Sequence, residues 1–143
     1  SISEDDLPID SKELLETIAA LNLNGVETAA SNAGHAVQIR RTGDTAYPWI
    51  LIQSEEKSPH ERIQLLLNEF YKNRRVTDGV KLRISSQLDG ECVLSSLQED
   101  LMNRDANQEL TTQELEDLQE NLPARQKEMY DFGQFLKSRF FNS

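Results

Sequence analysis

The stretch from Tyr47 to Arg75 constrains this chain most, because it reads as a strand running directly into a capped helix. Trp49, Ile50, Leu51 and Ile52 are four consecutive apolar residues, a run too short for a buried helix and suited to a strand covered on both faces. The run predicts a central strand. After polar Gln53 to Lys57, Ser58-Pro59-His60-Glu61 spells a capping box. The serine hydroxyl would accept from the amide of Glu61, the glutamate would reach back, and proline stands at the first helical position, where no amide is needed. Ile63, Leu66, Leu67, Phe70 and Arg74 then fall at i, i+3, i+4, i+7 and i+11, which predicts a helix from Pro59 with an apolar stripe that ends in charge.

The segments on either side extend this pattern. Residues 1 to 9 are expected to form a flexible acidic leader. Asp10 or Ser11 caps a helix running to about Leu21, with Leu14, Leu15, Ile18 and Leu21 toward the core and Asn24-Gly25 ending it. Three strands are expected next, at 26–30, 35–41 and 46–53. The turn residues Ser31 to Gly34 and Thr42 to Thr45 between them favour an antiparallel meander. Pro48 leaves one rung of that ladder unmade or facing outward. Val80 to Ser85 alternates, with Val80, Leu82 and Ile84 inward. Glu91 to Leu94 reads as a short fifth strand, unless the second capping box Ser96-Leu97-Gln98-Glu99 draws it into a helix. Thr111-Thr112-Gln113-Glu114 is a third capping box, opening a short helix with Leu115, Leu118 and Leu122 that Pro123 breaks or follows with a new start. Met129, Phe132, Leu136 and Phe140 make the stripe of a last helix.

The expected fold is therefore α+β: a four- or five-stranded, mainly antiparallel sheet packed by helices in the order α-βββ-α-β(β)-α, with a helical C-terminal extension. Residues 10–106 form the α+β domain, and 107–143 form an extension packed on it or dimerising with it. A chain of 143 residues has enough core for one such domain. The single cysteine, Cys92, excludes an internal disulfide. The acidic start SISEDDLPID is unlike a signal peptide, and the longest apolar run falls far short of the ~20 residues that span a bilayer. A cytoplasmic protein with no membrane contact is expected. The net charge of −10 is segregated: −6 over residues 1 to 36, +3 over 37 to 85 and −7 over 86 to 143.

The residues point to no reaction. His35 and His60 have no partners at metal-ligand spacing, and one cysteine makes no zinc cluster. No glycine-rich loop is present to cradle phosphate. The chain is read as having no catalytic residue, no metal and no cofactor. Two other features carry the functional expectations. Arg40, Arg41, Lys72, Arg74, Arg75, Lys81 and Arg83 are a basic cluster that, if gathered by the sheet, would contact an anion or nucleic acid. The helix, three strands, helix order of residues 11 to 75 resembles the double-stranded RNA-binding domain, although the second helix here starts at Ser58 and carries Glu61 and Glu69. Phe132, Leu136, Phe140 and Phe141, in the last helix, are the expected partner-binding residues; Phe140 and Phe141 are adjacent, so one face cannot hold both. The element order over residues 11 to 106, with the general acidity, resembles the small acidic dimeric chaperones that hold type III secretion effectors; the helical tail departs from that pattern. The expected function is a non-enzymatic protein-binding module, adaptor or chaperone-like, acting as a homodimer. The alternatives are a nucleic-acid-associated regulatory protein using segment 72–83 and an acidic DNA-mimic inhibitor.

Overall fold

Ile50 and Ile52 have no exposed surface, while Trp49 and Leu51 between them keep part of theirs, and this alternation shows which way the sheet faces. A computed structural model describes residues 9–32, 48–53, 59–86, 91–96 and 111–142. Their elements are α1 (Ile9–Leu23), β1 (Thr28–Asn32), β2 (Trp49–Gln53), α2 (Pro59–Tyr71), β3 (Arg83–Ser86), β4 (Glu91–Ser95) and α3 (Thr112–Asn142). The four strands form one antiparallel sheet in the order β1-β2-β4-β3, which is the expected α+β architecture.

The central position of β2 is as the sequence implies, but its coverage is not. Ile50 and Ile52 pair with Leu94 and Cys92 of β4, and all four are fully buried, so one face of the sheet makes the core. Trp49, Leu51 and Val93 lie on the other face and are half-buried. The four-residue apolar run is thus a strand with one fully buried face. The meander is also corrected: β1 pairs directly with β2, Ser31 opposite Ile50 and Asn32 opposite Trp49, so no strand lies between them. The expected strand at 35–41 falls outside the described residues, as do Arg40, Arg41 and His35. The short strand expected at 91–94 is present and is a central one, because Cys92 and Leu94 pack on the buried face beside Ile50 and Ile52. Val80 sits in a turn ahead of β3, and that strand begins only at Arg83.

The helix ends follow local chemistry. α1 ends in a Schellman motif: the amide of Val26 donates to the carbonyl of Leu21 at 2.9 Å and that of Gly25 to Asn22 at 3.0 Å, with Gly25 at φ +81°, where a side chain would be strained. Leu15, expected in the buried face of α1, is 41% exposed; Leu14, Thr17, Ala20 and Leu21 make that face instead. α2 starts at Pro59 and buries Ile63, Leu66, Leu67 and Phe70; the capping serine, Ser58, lies outside the described residues, as does the box beginning at Ser96 beyond that residue. The third capping box is formed reciprocally, with the Glu114 amide donating to Thr111 Oγ1 at 3.1 Å and the Thr111 amide to Glu114 Oε1 at 2.8 Å.

Pro123 does not break the chain that follows. One helix of 31 residues runs through it, because Leu118 and Leu122 before it and Met129, Phe132 and Leu136 after it are all buried on one stripe. That continuous burial outweighs the roughly 3 kcal/mol that an interior proline costs a helix. α1 and α2 meet the strands, and α3 packs on both helices. Thr17 of α1 sits where Gly133 of α3 has no room for a β-carbon, and its hydroxyl donates to the Met129 carbonyl at 3.1 Å. No helix among the described residues is long and apolar enough to cross a membrane.

Candidate protein-interaction surface

Four polar contacts tie α1, α2 and α3 to one another in the parts of the helices that carry exposed apolar side chains. Glu16 of α1 accepts from Gln134 of α3 at 3.1 Å. Two turns further along each helix, the same stripes carry Leu23 and Phe141. Asn24, next to Leu23, donates through Nδ2 to the Leu136 carbonyl at 3.2 Å, so the end of α1 is tied to α3 one turn before Phe140. α2 is tied to both. Arg62 Nη2 donates to the Asn24 carbonyl at 2.7 Å, and Arg139 Nε donates to Glu69 at 2.7 Å. Leu65 lies on α2 between those two anchors, three residues from Arg62 and four from Glu69, on the same side of the helix.

Leu23, Leu65, Phe140 and Phe141, near these contacts in the chain, are exposed by 44%, 65%, 40% and 66%. The two phenylalanine rings meet edge to face with centroids 5.2 Å apart, a geometry favoured by the ring quadrupoles. The Arg139 guanidinium holds the Glu69 carboxyl below its ordinary range, chiefly through their hydrogen bond. Both groups sit in water, so this pair positions the helix ends without adding much stability.

The four residues expected to meet a partner therefore divide. Phe132 and Leu136 have no exposed surface and belong to the core with Phe70, Met129 and the sheet; in this fold no partner reaches them, because α3 turns that stripe onto α1 and α2. Phe140 and Phe141 remain accessible. Leu23 and Leu65, which the sequence reading did not include, are exposed too. The signal for Leu65 was present in the run Leu65-Leu66-Leu67, since a helix burying its neighbours on one face must turn one of the three outward.

Among the described residues of the basic cluster, Arg74 is ion-paired within the fold. Arg74 donates through Nε to Glu128 Oε1 at 3.0 Å and through Nη2 to Asp131 at 2.8 Å, and its guanidinium lies 5.0 Å over the Phe70 ring. Glu128 is only 2% exposed and also accepts from the Tyr71 hydroxyl at 2.7 Å. That hydroxyl accepts in turn from the Leu82 amide at 2.7 Å, and burial raises the Tyr71 pKa. Arg74 thus joins α2 to α3. Lys81 lies 5.1 Å over the Tyr71 ring, and Arg83 donates to the Asp78 carbonyl at 3.2 Å. Lys72 and Arg75 are exposed.

Two further reactive or charged side chains are buried. Cys92 is buried in β4, and burial pushes its thiol up to about 11. Arg125, only 6% exposed, donates through Nε to the Gly79 carbonyl at 2.9 Å, and burial lowers its pKa. No group of three or more His, Cys, Asp and Glu side chains among the described residues could hold a metal ion. Searched against protein families, curated proteins and solved structures, the chain matches none.

Proposed function

We propose that this protein is a non-enzymatic protein-binding module, adaptor- or chaperone-like, whose contact surface is formed by Phe140 and Phe141 with Leu23 and Leu65. One observation carries the reading: Phe140 and Phe141, at the end of a helix tied to α2 by Arg139 on Glu69, meet edge to face and stay exposed, and Leu23 and Leu65 of the other two helices are exposed as well. Exposed apolar patches rimmed by polar residues are where proteins bind one another. The local order favours binding without rearrangement, because Phe140 follows directly from the buried stripe Met129, Phe132, Leu136 and inherits its rigidity.

The reading is tested by capture. The intact chain and a Phe140→Ser/Phe141→Ser variant, each shown by circular dichroism to be folded, are immobilised and exposed to the same extract. A protein retained by the first and lost by the second supports the surface. Retention that is equal on the two, or absent from both, removes it.

A further inference from the structure

We propose that Arg125 is the recognition group of an oxyanion site, taking a carboxylate or a phosphate where α3 meets the turn at Gly79. The inference is independent of Phe140 and Phe141 and assigns a part of the molecule that the protein-binding reading does not use.

An incomplete hydrogen-bond set is the first argument. Arg125 is 6% exposed. Its Nε donates to the Gly79 carbonyl at 2.9 Å, while its Nη1 is buried and has no acceptor among the described residues. A buried donor without an acceptor is uncommon in a folded protein and marks a place where a water or an ion belongs. Nη1 stands beside Nη2 at the end of the guanidinium, the edge that grips a carboxylate or a phosphate with two parallel hydrogen bonds.

Charge decides between a water and an anion. A guanidinium does not lose its proton in a protein, so Arg125 carries a full positive charge inside the fold, and burying a charge is costly unless a counter-charge comes with it. Three carboxylates lie near Arg125 in the chain or beside its contact, and none is spare and buried with it. Glu128, one turn on, is taken by Arg74 and the Tyr71 hydroxyl. Asp117, about two turns before, attracts Arg125, yet burial outweighs that attraction. Asp78, next to Gly79, is exposed.

Position is the third argument. The turn at Gly79 is closed by the Val80 amide donating to the Thr77 carbonyl at 3.0 Å, and Thr77, Asp78 and Lys81 on it are exposed. The guanidinium therefore lies just beneath a surface turn. Gly79 puts no side chain over it, where a β-carbon would stand 3.9 Å from Nη2.

The test is the thermal midpoint of the intact chain by circular dichroism, in sodium phosphate, sodium acetate or sodium chloride at matched ionic strength, over roughly 0.1 to 20 mM anion. Arg125→Lys, which keeps the charge without the fork, and Arg125→Met, which removes both, are measured beside it. The expected result is a saturable rise of roughly 3 °C or more in phosphate or acetate over chloride. Arg125→Lys is expected to need at least tenfold more anion for the same rise, and Arg125→Met to show none. A rise in phosphate alone assigns the site to phosphate, and one in acetate alone to a carboxylate. If Arg125→Met does not fold, Arg125→Lys carries the comparison. No rise over chloride in the intact chain overturns the inference and leaves Nη1 to a buried water. An equal rise in the variants also overturns it, because phosphate excluded from a protein surface stabilises any fold.

Discussion

At the scale of single residues, the tightest point of the fold is the crossing of α1 and α3 at Gly133. A β-carbon there would collide with the Thr17 hydroxyl and lie 2.7 Å from the Thr17 Cα. Because one of those atoms is backbone, trimming the threonine cannot make room. Gly133→Ala is expected to cost about 1–3 kcal/mol in denaturant unfolding, and Thr17→Ala in the same chain is expected not to restore it. The buried acid Glu128 gives an asymmetric prediction. Arg74 is 32% exposed and keeps Asp131 as a partner, whereas Glu128 is 2% exposed. Arg74→Met, which takes the guanidinium from a buried carboxylate and leaves it only the Tyr71 hydroxyl, is expected to destabilise by roughly 3 kcal/mol or more, and Glu128→Gln by clearly less. Equal losses in the two variants would contradict this account of the network. The buried thiol yields a third prediction. With the Cys92 pKa raised to about 11, the unfolded chain ionises first as pH rises, so its contribution is complete below about pH 8.5 and is lost toward pH 11. At pH 8 an alkylating reagent is expected to label Cys92 only as fast as the protein unfolds. Most buried residues of α2 were legible from spacing alone. Glu128 and Arg125 were not, because a charged residue is buried only when a partner from another element awaits it, and Tyr71, Arg74 and Gly79 are 46 to 57 positions away.

At the scale of elements, helix ends were legible and strand partners were not. The capping box at Thr111 and the Asn24-Gly25 stop are satisfied by atoms within a few residues, so sequence contains the whole argument. Strand order depends on residues far apart: β2 meets β4 through Ile52 and Cys92, and nothing local to either strand specifies the other. The short run Glu91 to Leu94 is ambiguous in sequence for the same reason, since its stability comes from one neighbouring strand on each side. Pro123 reads as a helix break on propensity alone, and burial on both sides of it overrides that propensity. Its position on an exposed face of a continuous helix makes Pro123→Ala a stabilising change, expected to add about 1–3 kcal/mol and to raise the thermal midpoint by several degrees. A lower midpoint would mean that the proline shapes a bend the core needs. The last helix is also more than an accessory. Met129, Phe132 and Leu136 have 0–1% of their surface exposed, so a chain ending at Asn121 is expected to lose its cooperative thermal transition by circular dichroism, and a truncated chain that melts like the full one would contradict the packing described here.

At the scale of the whole molecule, the charge segregation visible in the sequence becomes a division of surface. The exposed acids Glu116, Asp117 and Glu120 lie in the first half of α3, while Arg74 of the basic middle holds α2 to α3. Association through an apolar surface is expected to hold or tighten as salt screens the chain's negative charge, whereas binding through basic side chains to a polyanion would weaken steeply. The central claim is that Phe140 and Phe141 lie open to a partner while the rest of the chain's aromatic core stays shut. The chain contains five phenylalanines, and the structure sorts them into Phe70, Phe132 and Phe135, packed against one another with centroids 5.2–6.3 Å apart, and the exposed pair. Fluorine NMR of the chain labelled with fluorophenylalanine, recorded with and without a soluble paramagnetic agent, reads all five positions at once. Two resonances are expected to broaden strongly with the agent and three to stay sharp. Five resonances broadened alike, or broadening among the three core positions alone, would contradict it.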